Sequence, residues 1–414
     1  MTSRRAWFVL FAVMLISFLG TAGIALPYPV LAPYFLEGEP NALTSFFNLP
    51  PKLLLGIALG IYPLGILLGS SFVGALSDRY GRRRILLITL GGSALGYALT
   101  VVAVVIESYP LFLLARWATG VCEGNISIAR ALAAELHPHI DRTKAISMVF
   151  ATIYAGWLVG PLTGGYLMVY GAEAPFLAGA VAVILGGVVV AFAIEGNDRE
   201  AQVDDQPGLW QSMVRDNSVG LLAHKEIRPI FRYYFAYTVG MNMFYEFYPV
   251  WFVEKLGADS RVIAWGTVSL TAAMIVTSVV AASRVANRLG QRRTLVVTSL
   301  ALGMLFFIQP LSNAFWIYPI FMLIGAGNAL GNGVVPAHLS ENYGHLGEGR
   351  VMGLQTTIFC FTNVIVSILG SAVALLSTNL ALWLGAIAMS SAFLCLDRFG
   401  ATASEPMTAD GVQP

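Results

Sequence analysis

Apolar runs of about 20 residues recur along the whole 414-residue chain, with short polar joints between them. A helix of that length crosses the hydrocarbon layer of a bilayer. The pattern predicts twelve helices, over 7–36, 54–77, 85–106, 109–135, 145–170, 174–194, 229–253, 262–285, 294–312, 315–340, 350–376 and 379–396. The longest interior polar stretch, EGNDREAQVDDQPGLWQSMVRDNSVGLLAHKEIR at 195–228, parts six helices from six. The expected architecture is therefore an all-α membrane protein of twelve transmembrane helices in two pseudo-symmetric six-helix bundles. The first bundle occupies 1–195 and the second 229–398. A loop at 196–228 joins them, and a flexible tail at 399–414 follows.

Composition supports this reading. Hydrophobic residues make up 57% and charged residues 11%, against about 25% charged in a soluble chain. Mean hydropathy is +0.72. The 42 glycines suit close helix packing in lipid, where small residues let backbones approach.

Basic residues set the orientation. With the N-terminus inside, 19 Lys and Arg fall on the cytoplasmic joints, while only Lys52, Lys255 and Arg261 fall outside. Both termini and the central loop are expected in the cytoplasm, and the protein in the inner membrane as a multi-pass chain. The net charge of +1 gives no reason to expect a nucleic-acid partner. The opening SRRAWFVL has the twin arginines of an export signal, but the apolar run behind it is too long and eleven more follow. Cys122, Cys360 and Cys395 are isolated, without metal-ligand or redox spacing. No metal or cofactor is expected. No G-x-x-x-x-G-K-[ST] loop is present, so ATP is not the expected energy source.

A repeat joins the halves. GALSDRYGRRR at 74–84 and SRVANRLGQRR at 283–293 follow the second and eighth predicted helices. Aligning Gly81 with Gly290 also pairs Arg79 with Arg288, Arg83 with Arg292 and Arg84 with Arg293. Asp78 is matched by Asn287. Duplicated halves with a site between them near mid-membrane are a transporter plan.

Several charges lie inside the apolar segments. In RWATGVCEGNISIAR, Arg116, Glu123 and Arg130 are seven apart and share one helix face to within about 20° per step. A charge facing lipid costs about 2.5–3.5 kcal/mol on the insertion scale, so this stripe must face a partner or a wet cavity. One reading makes Glu123 a titratable site balanced by Arg116, with Arg130 nearer the cytoplasmic mouth. The other is a ladder of ion pairs to neighbouring helices. The seventh helix carries Glu246, preceded by Thr238 and Asn242 at four-residue steps, with Tyr237, Tyr245, Tyr248 and Trp251 expected around it. An acid among aromatic faces suits a cationic or amphiphilic ligand. Asn328 and Asn332 on the tenth helix, with Gln355 and Asn363 on the eleventh, are candidate uncharged contacts or interhelical hydrogen bonds.

GALSDRYGRRRIL resembles the signature of the major facilitator superfamily, through Gly74, Leu76, Asp78, Arg79, Gly81, Arg82 and Arg83. The resemblance implies that Asp78 meets the start of the eleventh helix on the cytoplasmic side, and that Glu135 partners the arginine-rich turn. GWLVGPLTGG at 156–165 resembles the fifth-helix signature of drug:proton antiporters, through Gly156, Gly160, Pro161, Gly164 and Gly165. Glycines four apart make a groove for another helix, and Pro161 a bend point. Arg116 with Gly120 and Gly124 resembles the family's fourth-helix signature, in which the Arg is linked to proton transfer. GIALPYPVL at 23–31 resembles tetracycline exporters, and EGNISIARALAAEL at 123–136 the branch of facilitators linked to zinc tolerance. Gly20 stands where the tetracycline exporters place an acid, and the plant facilitators' Cys-rich motif is absent, so neither substrate is implied.

The expectation is a secondary transporter, not an enzyme, exporting a small organic compound against protons by alternating access. Its partners are that substrate, protons and the lipid bilayer, and it is expected to act as a monomer. The rivals are a transporter of a specific metabolite such as a siderophore or sugar, and a non-transporting receptor or scaffold.

Overall fold

The computed structural model describes residues 3–123, 128–129, 132–133, 136, 139–140, 142–194, 218–343 and 348–396, and helix is the regular structure throughout them. The chain begins with a bent helix of two segments, Ser3–Ala25 and Tyr28–Leu36 (α1), offset at Leu26 and Pro27. Pro51–Tyr80 (α2), Arg82–Val105 (α3), Tyr109–Cys122 (α4), Arg142–Leu167 (α5) and Ala174–Ala193 (α6) complete the first half. The second half holds Arg228–Leu256 (α7), Ser260–Val280 (α8, continued by the short helix Ala282–Leu289), Gln291–Ile308 (α9) and Ile317–Tyr343 (α10). Glu348–Ile365 (α11) runs on through a π-helical turn at Val366–Gly370 into Ser371–Leu376, and Thr378–Ser391 (α12) follows.

Among the described residues, nine helices are long and apolar enough to cross a membrane. α4, α5 and α7 do not reach that criterion. α4 is described for 14 residues, and α7 carries five tyrosines and Glu246, all of which lower hydropathy.

Chemistry at the ends explains where helices stop. Proline occupies the first turn of α2, α4, α6 and α7, where its missing N–H costs nothing. Asp259 caps α8 by accepting from the Val262 amide at 2.9 Å, and Ser377 caps α12 through the Leu380 amide. Gly81 ends α2 with φ +91° and ψ 136°, and Gly290 turns into α9 with φ +79° and ψ 153°. That combination of positive φ and extended ψ is open essentially to glycine alone. The two repeat glycines therefore make the same turn. Because one residue suffices, Arg82, Arg83 and Arg84 lie within α3, and α2 runs through Tyr80. Hydropathy had trimmed these charged ends, so the predicted spans are about a turn short there.

The same neighbour pattern recurs six helices on. α1 packs on α5 and α6, as α7 does on α11 and α12. α2 packs on α4, as α8 does on α10; α3 packs on α4 and α6, as α9 does on α10 and α12. Across the seam, α5 lies on α8 and α2 on α11, a pair related by the same shift. The second segment of α1 also reaches α7 and α8.

The seam is closed at the end that carries Lys52. There the Lys52 ammonium meets the Glu254 carboxylate at 2.6 Å and donates to the Ala374 carbonyl at 2.9 Å and the Thr378 hydroxyl at 3.1 Å. Thr378 donates to the other Glu254 oxygen at 2.6 Å. Just below, the missing side chains of Gly56 and Gly60 let α2 sit on Ser371 and Ser367 of α11.

Candidate transport site in the helix interior

Two buried carboxyl groups, one in each half, organise the interior. The first is Glu123, 7% exposed, at the end of the described part of α4. Arg116 lies two turns earlier on that helix and is 3% exposed. Its guanidinium stands 4.2 Å from the ring centroid of Tyr62 on α2, and 5.8 Å from that of Phe176 on α6. The Tyr62 hydroxyl donates to Oε2 of Glu123. One tyrosine thus touches both charged groups. The other carboxylate oxygen, Oε1, has no hydrogen-bond partner among the described residues, nor do Nε and Nη1 of Arg116. Gly23 of α1 leaves the space in which Oε1 and the Tyr97 hydroxyl of α3 lie side by side. The close approach of α2 to α4 rests on glycine too, since Gly65 and Gly120 face each other across it.

The second group is Glu246 on α7, 2% exposed, with both carboxylate oxygens lacking a hydrogen-bond partner among the described residues. Asn363 and Ser367 of α11 lie beside it, and Tyr28 approaches from α1 in the other half. Ser367 falls in the π-helical turn of α11. Such turns displace side chains from the regular helical stripe, and recur at functional sites. Asn242 is fully buried and donates to the Thr362 hydroxyl at 3.0 Å; Asn363 donates back to Asn242 at 3.4 Å. Asn242 thus ties α7 to α11 below Glu246.

The aromatic residues of α7 divide rather than cluster. Tyr245 stacks on Trp157 of α5, with centroids 5.7 Å apart, and Trp157 lies 6.0 Å from Tyr28. This slab crosses the seam. Tyr248 instead turns into the second half, stacked on Phe244 and bonded to Thr267 at 2.5 Å. The reason is angular: residues two apart lie about 200° apart on a helix, so Tyr248 cannot share the face of Glu246. Tyr237, nine residues earlier, lies about 180° away and donates to Asn328 at 2.8 Å. Asn328 in turn donates to Tyr245 at 2.9 Å and accepts from Asn332 at 3.0 Å. The two asparagines and the two tyrosines form one polar cluster between α7 and α10. Gln355, half-buried on α11, lies beside Tyr234, about 12 Å along the helix from Asn363.

The motif residues serve packing in the described structure. A Cβ at Gly156 would stand 2.8 Å from the Phe18 carbonyl of α1; Gly160 and Gly164 face the carbonyls of Ala22 and Leu26 in the same way. The groove is therefore filled by α1. Gly165 turns across the seam, where a Cβ would meet Ser260 and Ala264 of α8 at 2.6 Å. Pro161 lies inside α5. Arg83 donates to the Ala191 carbonyl at 2.9 Å, pinning the start of α3 to the end of α6. Arg79 lies 5.7 Å from the Tyr80 ring centroid, and Arg82 begins α3. Gly74 and Asp78 fall in α2, but their surroundings, like Arg130 and Glu135 altogether, lie outside the described residues. In the second half, Gln291, the repeat counterpart of Arg82, donates to Glu341 of α10 at 2.9 Å. Among the described residues, no group of three or more His, Cys, Asp or Glu side chains is placed to hold a metal ion.

Tyr62, Tyr97, Tyr28 and Trp157 were not singled out from sequence. Trp157 had a signal, standing inside GWLVGP between two groove glycines. Tyr62 is an uncharged residue in an apolar run, and only its neighbours in space reveal it.

Comparison with known proteins places this arrangement. The chain is 24% identical over 371 residues to the class E tetracycline resistance protein of Escherichia coli, covering 85% of this chain and 84% of that protein. It is 22% identical over 325 residues to Multidrug resistance protein 2 of Bacillus subtilis (strain 168), covering 76% and 78%. Among solved structures, the inward-open xylose transporter XylE of E. coli shares the fold with TM-score 0.71 at 18% identity, over 94% of this chain and 96% of that one. A family model described as Major Facilitator Superfamily matches residues 7–255 and 230–405. The chain belongs to the Major Facilitator Superfamily of membrane transporters.

Proposed function

We propose that this protein is a proton-coupled exporter of small organic compounds, working by alternating access in the inner membrane. Twelve spans in two bundles, 1–195 and 229–398, would place the Gly81 and Gly290 turns and both termini in the cytoplasm. The observation that carries the reading is the pair of buried carboxyl groups, Glu123 and Glu246, one per half, each with at least one oxygen lacking a close hydrogen-bond partner among the described residues. A structural role would be expected to partner such groups fully, because an unpaired ionised group inside a membrane protein is expensive. A group that must take up and release a proton or a ligand cannot be permanently partnered.

The two sites divide the work. Glu123 carries the proton, with Arg116 nearby to balance its charge as it cycles. Glu246, beside the Tyr28–Trp157–Tyr245 slab, meets the substrate where the two halves face each other. Aromatic faces with one acid favour flat or cationic organic molecules. Asn328, Asn332 and Gln355 provide uncharged contacts along the same interior, with Arg130 toward the cytoplasmic mouth. The names of the tetracycline and multidrug resistance relatives favour efflux over uptake.

The test is transport into everted membrane vesicles, with ethidium as a cationic probe and chloramphenicol as a neutral one, with and without an imposed proton gradient. Gradient-dependent accumulation of either probe supports the reading. Accumulation that persists when the gradient is collapsed but ATP is supplied would overturn it.

A further inference from the structure

Tyr62 stands between the two charged groups of the first half, on a helix that belongs to the seam. Its hydroxyl donates to Glu123, and the Arg116 guanidinium sits 4.2 Å from its ring centroid. Among the described residues, the titratable side chains facing Glu123 are Tyr62 from α2 and Tyr97 from α3, while Arg116, two turns earlier on α4, meets it through the ring of Tyr62. α1 offers Gly23 at that point. A cation over an aromatic face draws electron density from the ring and makes the phenol a stronger hydrogen-bond donor. The acceptor is strongest when Glu123 is ionised, because charge-assisted hydrogen bonds are roughly twice as strong as neutral ones.

The position of Tyr62 along α2 adds the second half of the argument. Gly60, two residues earlier, is where α2 touches Ser367 of α11, with a Cβ there standing 2.8 Å from that of Ser367. Ser367 lies beside Glu246. Further up the same helix, Lys52 forms the ion pair with Glu254. A change in what holds Tyr62 is therefore a change in what holds the helix that closes the seam.

We propose that Tyr62 is the positioning residue that couples the proton on Glu123 to Arg116 and, through α2, to the contact between the halves. With Glu123 ionised, the Tyr62–Glu123 bond fixes the ring beneath Arg116 and holds α2 against α4. Proton uptake by Glu123 weakens that bond and releases α2 to move against α11. The proton stays on Glu123 throughout. The inference rests on Glu123 being the proton carrier, as proposed above.

The test follows the carboxyl stretching bands of the purified full-length protein by infrared difference spectroscopy across a pH titration, and needs no substrate. Glu123→Gln identifies the Glu123 band. Tyr62→Phe keeps the ring and the Arg116 contact but removes the donor. It should alter the frequency of that band and displace its midpoint by roughly tenfold in proton affinity. In an Arg116→Gln background, the displacement brought by Tyr62→Phe should shrink, because the polarising cation is gone. Circular dichroism checks that each variant is folded. An unchanged band in Tyr62→Phe, or an effect of equal size with and without Arg116, overturns the inference and leaves Glu123 as the proton site. A titration unchanged by Glu123→Gln removes the proton site itself and this inference with it.

Discussion

Lys52 at the head of α2 and Glu254 at the foot of α7 meet at 2.6 Å, so residues from opposite halves of the sequence share one ion pair. Both are partly exposed, which caps the strength of the pair itself at about 1 kcal/mol. Its setting adds to that. Lys52 also holds the Ala374 carbonyl at the end of α11, and Thr378 bridges to Glu254, so three chain ends converge on one ammonium. Removing the carboxylate should loosen all three. In Glu254→Gln, backbone hydrogen exchange should speed up several-fold in the peptides around 250–258 and 372–380. Exchange as slow as in the parent protein would show that the helix contacts alone close this end.

The groove on α5 makes a prediction about stability. Gly160 faces the Ala22 carbonyl closely enough that a methyl group must push the helices apart, whereas Gly20 has nothing among the described residues within 4 Å of its missing Cβ. Gly160→Ala should cost about 1–3 kcal/mol, and Gly20→Ala almost none. Thermal melts in detergent, read by loss of the monodisperse peak, compare them directly. Equal melting temperatures would mean that α1 and α5 can separate without penalty.

The two turns carry a matched prediction. At φ +91° for Gly81 and +79° for Gly290, an alanine is strained whatever space surrounds it, and among the described residues neither position has an atom within 4 Å of a Cβ. Each Gly→Ala change should therefore cost about 1–3 kcal/mol from backbone strain alone. The two losses should be similar and additive, since the sites belong to different halves. A neutral result at either turn would show that the backbone relaxes there.

The two acids should separate by substrate. Glu123→Gln is expected to abolish gradient-driven accumulation of both ethidium and chloramphenicol in vesicles, while binding or passive exchange continues. Glu246→Gln should impair ethidium by tenfold or more and largely spare chloramphenicol, because a neutral ligand does not need the carboxylate. Retained uphill transport in Glu123→Gln, or equal loss of both probes in Glu246→Gln, would reverse the assignment.

How far the fold was readable depends on what kind of fact each feature is. Apolar run length located the helices because it is a local property. The kinship of Gly81 and Gly290 was legible because a turn needing positive φ leaves a glycine in the sequence. Helix ends were misjudged by about a turn where arginines continue a helix that hydropathy had ended. The surroundings of Glu246 were misjudged because proximity along a helix is not proximity in space. Tyr248 sits two residues from Glu246 and faces away, while Tyr28, more than two hundred residues distant, approaches it. Tyr62 was invisible for that reason as well. Nothing in an apolar run tells one tyrosine from another until α4 lies against α2.

The seam between α1 and α5 also bears on how the protein is made. The glycines lie on α5 and the carbonyls they approach lie on α1, which is synthesised before it. α1 needs no partner to be content in lipid: Ser17 donates to the Val13 carbonyl at 2.9 Å and Thr21 to the Ser17 carbonyl at 2.8 Å, so its buried hydroxyls are satisfied within the helix. It can leave the insertion machinery alone and wait in the bilayer. α5, arriving later with a groove already cut to α1's backbone, has its docking place prepared. Assembly of the first bundle can then follow the order of translation, without any early helix having to be held back for its neighbour.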